Sequence, residues 1–299
     1  EYDGGDSYPT AFWKSQFFSF LNIAPDVALT TLVRLVNFAT ERWAYQRSRG
    51  GNRKPPQTIL TMRDCSKKSY IGNWWVFNWT QANSASRGQL HCALNALERW
   101  ITLQIEQGVD VQPHLERLLR EGSSLAFVGL LVNVAKCRPA LLSNALLPLL
   151  SSEDVYWLDE GRVRNAPFNF DAFTWSRQHD AVFNQARDWT NARYRQRNLV
   201  QVVGELIPTD KTIASFLKAA TATWEKPDER KEAIEFAILC AQLDEANYCL
   251  QLDPETGEER VEFERPEAIK TEVAAYRNAT APKLRNLVLA YQCEQMLQE

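Results

Sequence analysis

RGQLHCALNALERWITLQIEQG, residues 87–108, is the stretch on which the fold turns. Leu90, Leu94, Leu97, Ile101 and Ile105 return at helical spacing, so they line one face of a helix, and Gly108 supplies its stop. Just downstream, VQPHLERLLREG (111–122) carries Pro113 in its first turn, where a missing amide costs little. SSLAFVGLLVNVAKCRP (123–139) begins with serines and ends before Pro139, and PALLSNALLPLL (139–150) is interrupted by Pro148. Helices therefore alternate with tight turns from 86 to 150, and several are apolar on more than one side. A helix sandwiched between neighbours requires this, so the expected fold is mostly α: a solenoid-like stack of helix pairs of the HEAT or TPR kind. A short echo, Glu-Arg-Trp in FATERWA (38–44) and NALERWI (95–101), points the same way.

Working outward, APDVALTTLVRLVNFATERWAYQ (24–46) places Val27, Leu32, Leu35, Val36, Ala39 and Trp43, with Leu29 nearby, on one predicted helical face, with Asp26 as cap. Beyond residue 179 helix is expected through RDWTNARYRQRNLVQVVGELIP (187–208), then in TDKTIASFLKAATATW (209–224), with Thr209 or Asp210 as cap, and PDERKEAIEFAILCAQL (227–243). Two last helices are read in PEAIKTEVAAYRN (266–278) and PKLRNLVLAYQCEQML (282–297). Two β-hairpins interrupt the helical text. One pairs TILTM (58–62) with YIGNWWVFNW (70–79); the other lies in ANYCLQLDPETGEERVEFERP (246–266), with its turn at DPETGE. Residues 151–178 read as an irregular aromatic linker or loop. The organisation expected is a helical array over 1–150 with a hairpin insert at about 58–79, the linker, and a second array over 179–299 with an insert at about 246–265.

Composition narrows the function classes. Hydrophobic residues make up 45% and charged residues 24%, as in an ordinary folded protein. A formal charge of -3 provides no global attraction to nucleic acid or anionic lipid. No apolar run approaches the roughly 20 residues of a membrane span. The six cysteines form no CxxC pair, and a reducing, cytoplasmic setting is the simpler expectation. The opening EYDGGDSYPTAFW has neither an initiator Met nor signal-peptide architecture, which suggests a segment of a longer polypeptide.

Two stretches stand out as candidate surfaces. Read as a strand, YIGNWWVFNW is apolar on both faces, and the face carrying Trp75, Phe77 and Trp79 needs a cover: the chain's own helices, a protein partner or a ligand. In RDWTNARYRQR (187–197), Arg187, Arg193, Arg195 and Arg197 interleave with Trp189 and Tyr194, the mixture that single-stranded nucleic acid favours. On a continuous helix those arginines spread around the axis, so a solvated face is the plainer reading. The histidines His91, His114 and His179 are isolated, and no metal-ligand spacing, nucleophile elbow or phosphate loop occurs. No catalytic residue, cofactor or metal is therefore assigned. An enzyme with a site in DEGRVRN (159–165), within the 151–178 loop, stays as an alternative.

YPTAFWKSQFFSFLNIAPDVALTTLVRLVNFATERW, GNWWVFNW, ALNALERWITLQIEQGVDV and SLAFVGLLVNVAKCRPALLSNALLPLLS resemble the helical-repeat region downstream of the nucleotide-binding module in large bacterial P-loop ATPases of the STAND type. The resemblance spans roughly residues 8–160. It implies a non-catalytic scaffold or sensor arm that binds a trigger, holds the ATPase inactive or assembles an oligomer, with defence against phage as the output in several such families. The family's Walker A lysine and Walker B acid have no counterpart here, so no catalytic residue carries over. A nucleic-acid-binding helical module is the first alternative, and the loop enzyme the second.

Overall fold

The computed structural model describes residues 10–48, 54–81, 88–174, 181–252 and 259–296. It is mostly helical, with two small antiparallel hairpins. After a 3-10 turn at Phe12–Lys14 come α1 (Phe17–Ile23) and α2 (Pro25–Ser48). A hairpin of β1 (Gln57–Thr61) and β2 (Lys67–Ile71) leads to α3 (Trp74–Phe77), α4 (Gln89–Glu106), α5 (Gln112–Glu121) and α6 (Leu125–Cys137). Two 3-10 turns, Pro139–Ser143 and Leu147–Ser151, replace the helix expected over 139–150. Then follow α7 (Glu153–Thr174), α8 (Ala181–Thr190), α9 (Arg193–Gln196), α10 (Leu199–Leu206), α11 (Lys211–Thr221) and α12 (Arg230–Gln242). The second hairpin, β3 (Tyr248–Leu252) with β4 (Glu259–Phe263), precedes α13 (Glu267–Met296). Its expected turn, DPETGE, lies outside the described residues.

The centre of the molecule is α6. Every residue from Leu125 to Lys136 is buried, because LAFVGLLVNVAK offers no polar face to water. Ser124 caps it by accepting from the Ala126 amide (3.2 Å), and Pro139 prevents its continuation. Around it pack α3, α4, α5, α7, α9 and α10. The close fit on one side depends on Gly129, where a Cβ would stand 2.1 Å from the Phe77 carbonyl oxygen.

The first hairpin is shorter than expected. Gln57 pairs with Ile71 and Thr61 with Lys67, and Leu60 and Tyr70 face the core. Strand pairing ends at Ile71, whose amide turns to the Ser123 carbonyl (2.7 Å). Gly72 then takes φ 148, and Asn73 accepts from the amides of Trp75 (3.1 Å) and Val76 (3.4 Å). That cap starts a single helical turn, so WWVF is α3 and the period-two faces assigned to 70–79 do not exist.

Other differences also have local causes. The expected linker at 151–178 is helical over Glu153–Thr174, opened by Glu153 and Asp154 in its first turn, where the helix dipole favours acids. The helix expected through 187–208 breaks twice. Asn191 and Ala192 separate α8 from α9, and Asn198 starts α10 with a capping box that includes Gln201. Conversely, α13 runs through Pro282 where two helices were read. Asp26 lies in the first turn of α2 and does not cap it, whereas Asp210 caps α11 as expected, accepting from the Thr212 and Ile213 amides. Among the described residues no helix is long and apolar enough to cross a membrane.

Candidate functional site

Burying α6 carries two polar side chains inside with it, Asn133 and Lys136, and a buried polar group must find partners. Each donates to a separate carboxylate, while Asn133 Oδ1 has no hydrogen-bond partner among the described residues. Asn133 donates to Glu98 Oε2 (3.0 Å), a fully buried acid on α4. The other oxygen of Glu98 accepts from Arg195 of α9, at 2.7 Å for the nearest nitrogen, and from the Tyr194 hydroxyl (3.0 Å). Arg195 also donates to the Thr80 carbonyl (3.4 Å), and its guanidinium lies over the Trp189 ring at 4.6 Å. Trp189 in turn donates its indole N–H to Asn95 Oδ1 (3.0 Å) on α4.

The second carboxylate is Asp159 of α7. Lys136 donates to it at 2.9 Å, and Arg162, one turn along α7, donates through Nε at 3.1 Å. Its other oxygen accepts from the Leu199 amide (2.7 Å), the first residue of α10, where the helix dipole favours an anion. Arg162 donates to the Gly129 carbonyl (2.8 Å) and lies over the Phe77 ring at 4.6 Å. Both clusters are sealed: Glu98 and Asp159 are 0% exposed, Arg162 2%, Lys136 and Arg195 3%. They clamp α7, α9 and α10 onto α4 and α6.

Their electrostatics differ. Burial pushes the Asp159 carboxyl up, but the charges of Lys136 and Arg162 prevail and hold it below the usual range. Burial likewise dominates at Lys136. Asp159 offsets only part of it while the nearby Arg162 adds to it, so the ammonium falls to about 8. At Arg195 burial opposes the charge, yet Glu98 prevails and holds the guanidinium above its ordinary value. Burial, reinforced by Glu98, raises the Tyr194 phenol.

The outer side of α7 faces an open cleft of about 920 Å³, bounded by α10, α12 and the β3–β4 hairpin. Val200, Ile238 and Leu239 supply apolar lining; Trp157, Tyr248 and Phe263 supply aromatic lining. Two of the lining carboxylates are neutralised, Glu160 by Arg164 and Glu205 by Arg197, each at 2.5 Å. Tyr248 seats the hairpin: its hydroxyl donates to the Gln242 carbonyl (2.6 Å), and burial lifts its pKa to about 12. That hydroxyl would lie 2.7 Å from a Cβ at position 204, so only glycine leaves room for it.

The residues singled out from sequence divide between inside and outside. Trp75 is 53% exposed, whereas Phe77 is fully buried beneath Arg162 and Trp79 is buried edge-on to His91 at 5.7 Å. No common face joins the three. Of the basic-aromatic set, Trp189 and Tyr194 turn inward to Asn95 and Glu98, and Arg197 pairs with Glu205. Arg187 and Arg193 remain exposed. Arg195, met in the same stretch, proves to be its central member. The DEGRVRN segment contributes from both sides of one helix, Asp159 and Arg162 to the buried cluster and Glu160, Gly161 and Arg164 to the cleft.

Glu98, Asn133 and Lys136 were not singled out from sequence. The available signal was an amide and a lysine inside the otherwise apolar run LAFVGLLVNVAKC, which obliges buried partners elsewhere. His91 is buried with neither ring nitrogen hydrogen-bonded among the described residues, and burial lowers it to about 4. His179 lies outside the described residues, among which no cluster of three His, Cys, Asp or Glu is placed to hold a metal ion. No protein-family model matches the chain, and no curated protein matches it.

Proposed function

We propose that this chain is a non-catalytic recognition region whose cleft receives a segment of a protein partner or of a neighbouring domain. The observation that carries this reading is the lining of the cleft. Apolar and aromatic side chains alternate there with carboxylates already matched by arginines. Such a surface offers an extended or helical peptide both apolar contact and hydrogen-bonding groups, without a concentrated charge. In this reading the helices act as a solenoid-like scaffold, with the buried clusters holding the cleft walls in register. The setting supported by the resemblance over residues 8–160 is a scaffold or sensor arm of a larger bacterial STAND-type ATPase, cytoplasmic and acting in phage defence. It requires a P-loop module in the same reading frame.

The test is a photo-cross-linker placed at Val261, an exposed cleft residue, in the full-length protein. Cross-links are expected to map to one defined protein segment. Gly204→Trp, which displaces Tyr248, is expected to abolish them while the melting temperature stays within a few degrees. Cross-links that survive Gly204→Trp unchanged, or a nucleic acid or small molecule recovered in place of protein, would refute the reading.

A further inference from the structure

The cleft is not the same at its two ends. Along α12 its lining runs through Glu235, Ile238, Leu239 and Gln242, one helical face about 10 Å long at 1.5 Å per residue. Tyr248 is seated at the Gln242 end, its hydroxyl donating to the Gln242 carbonyl (2.6 Å) and its ring 5.6 Å from that of Phe263. Gly204 lies against the same hydroxyl, so the neighbouring Glu205 belongs to this end, and Arg197 neutralises it. Glu160, on α7, has Arg164. Glu235, at the other end, has no close cation among the described residues: Lys231 stands 3.8 Å away, and both side chains are half exposed. A contact of that length is not a hydrogen bond, and water screens it. The cleft therefore has one apolar, aromatic end and one end with a surplus negative charge.

We infer that the occupant is a segment of a partner protein with a lysine or arginine at the Glu235 end and an apolar side chain at the Tyr248 end. This rests on the reading of the cleft as a peptide site, and adds chemistry and direction to it. Between the two ends Ile238 and Leu239 favour apolar contact, which the methylene stem of a basic residue also supplies. The separation of the ends fixes the spacing in the occupant: about 10 Å is roughly three residues of an extended segment or seven of a helix. A cation that closes on Glu235 excludes water from it, so the pair strengthens on binding beyond what the solvated Lys231 contact provides. A phosphate backbone meets the same charge with repulsion, which separates this occupant from a nucleic acid.

A random-peptide display library panned on the full-length protein tests this, with the Gly204→Trp variant used to discard peptides that bind elsewhere. The peptides kept are expected to share a lysine or arginine at one fixed spacing from an apolar residue. For a synthetic copy of one of them, Glu235→Gln should weaken binding about fivefold and reduce its salt dependence. The melting temperature should stay unchanged, because Glu235 is half exposed. Glu235→Arg should weaken binding further. Peptides that share no basic residue overturn the inference, as does an affinity that Glu235→Gln leaves unchanged; in both cases the cleft remains a peptide site. If no peptide is enriched, or Gly204→Trp binds every peptide that the native protein binds, the reading of the cleft falls as well. A cross-link from Val261 to the same polypeptide would place a neighbouring domain in the cleft and overturn the partner protein.

Discussion

Around Glu98, one carboxylate meets one guanidinium, with Tyr194 and Asn133 supplying neutral donors. Around Asp159, one carboxylate meets two cations, Lys136 and Arg162, with the Leu199 amide as a further donor. Both clusters are buried, and both set an arginine over an aromatic ring at 4.6 Å. The first is balanced in charge; the second holds one cation too many. Burial is the main cause that pushes Lys136 down to about 8, and the excess charge of Arg162 adds to it. A buried network therefore cannot be judged by its number of contacts. Its charge balance decides which member is indispensable.

Breaking the unbalanced cluster at its anion should cost most. Asp159→Ala leaves Lys136 and Arg162 facing each other without a counter-charge, and chemical denaturation should show a loss of about 5 kcal/mol. A loss below about 1 kcal/mol would mean that the clamp on α7 is not held by charge. Arg195→Met should cost less, about 3 kcal/mol, because Glu98 keeps two neutral donors.

Lys136→Met should behave in the opposite sense. Its depressed pKa means that between pH 8 and 10.5 the unfolded chain holds a proton that the native protein has released. Stability from this group accordingly rises as pH increases across that window, and below it the penalty is present in full. Removing the excess cation should thus stabilise the protein at pH 7, by up to about 3 kcal/mol, while Arg162 still neutralises Asp159. The variant should also lose the gain in stability between pH 8 and 10.5. A strongly destabilised Lys136→Met would show that the ammonium is a required partner and not the surplus one.

The smallest effect is expected one turn away. Phe77 lies under Arg162, and Phe77→Leu should cost roughly 1–2 kcal/mol through lost packing. Trp75, two positions earlier, is half in water, and Trp75→Ala should stay within about 0.5 kcal/mol in a thermal melt. If the two losses were equal, the division of this aromatic run between core and surface would be wrong.

That division shows how far sequence carried. The aromatic run invited a strand because Trp, Phe and Val favour pleated surfaces, and the reading passed over Gly72-Asn73, a breaker followed by a helix cap. The 151–178 stretch looked irregular because its aromatics and glycine mask a helical face. That face became apparent only where Asp159 and Arg162 meet partners on α6, α10 and α3. The basic-aromatic stretch was read as one helix with scattered arginines. Its two breaks re-aim Trp189, Tyr194 and Arg195 toward a single helix.

The sequence by itself determined that this chain is mostly helical, where α4, α5, α6 and α11 begin and end within a few residues, and that α6 must be buried. Those properties follow from spacings of three and four residues and from caps that touch their own helix. Only the tertiary structure decided which charged and aromatic residues face inward. Arg195 and Glu98 are 97 residues apart, Leu199 and Asp159 40 apart, and no local periodicity reports a partner at that distance. Direction inside the molecule was set by the need to neutralise buried charge, a condition that exists only once the helices have met.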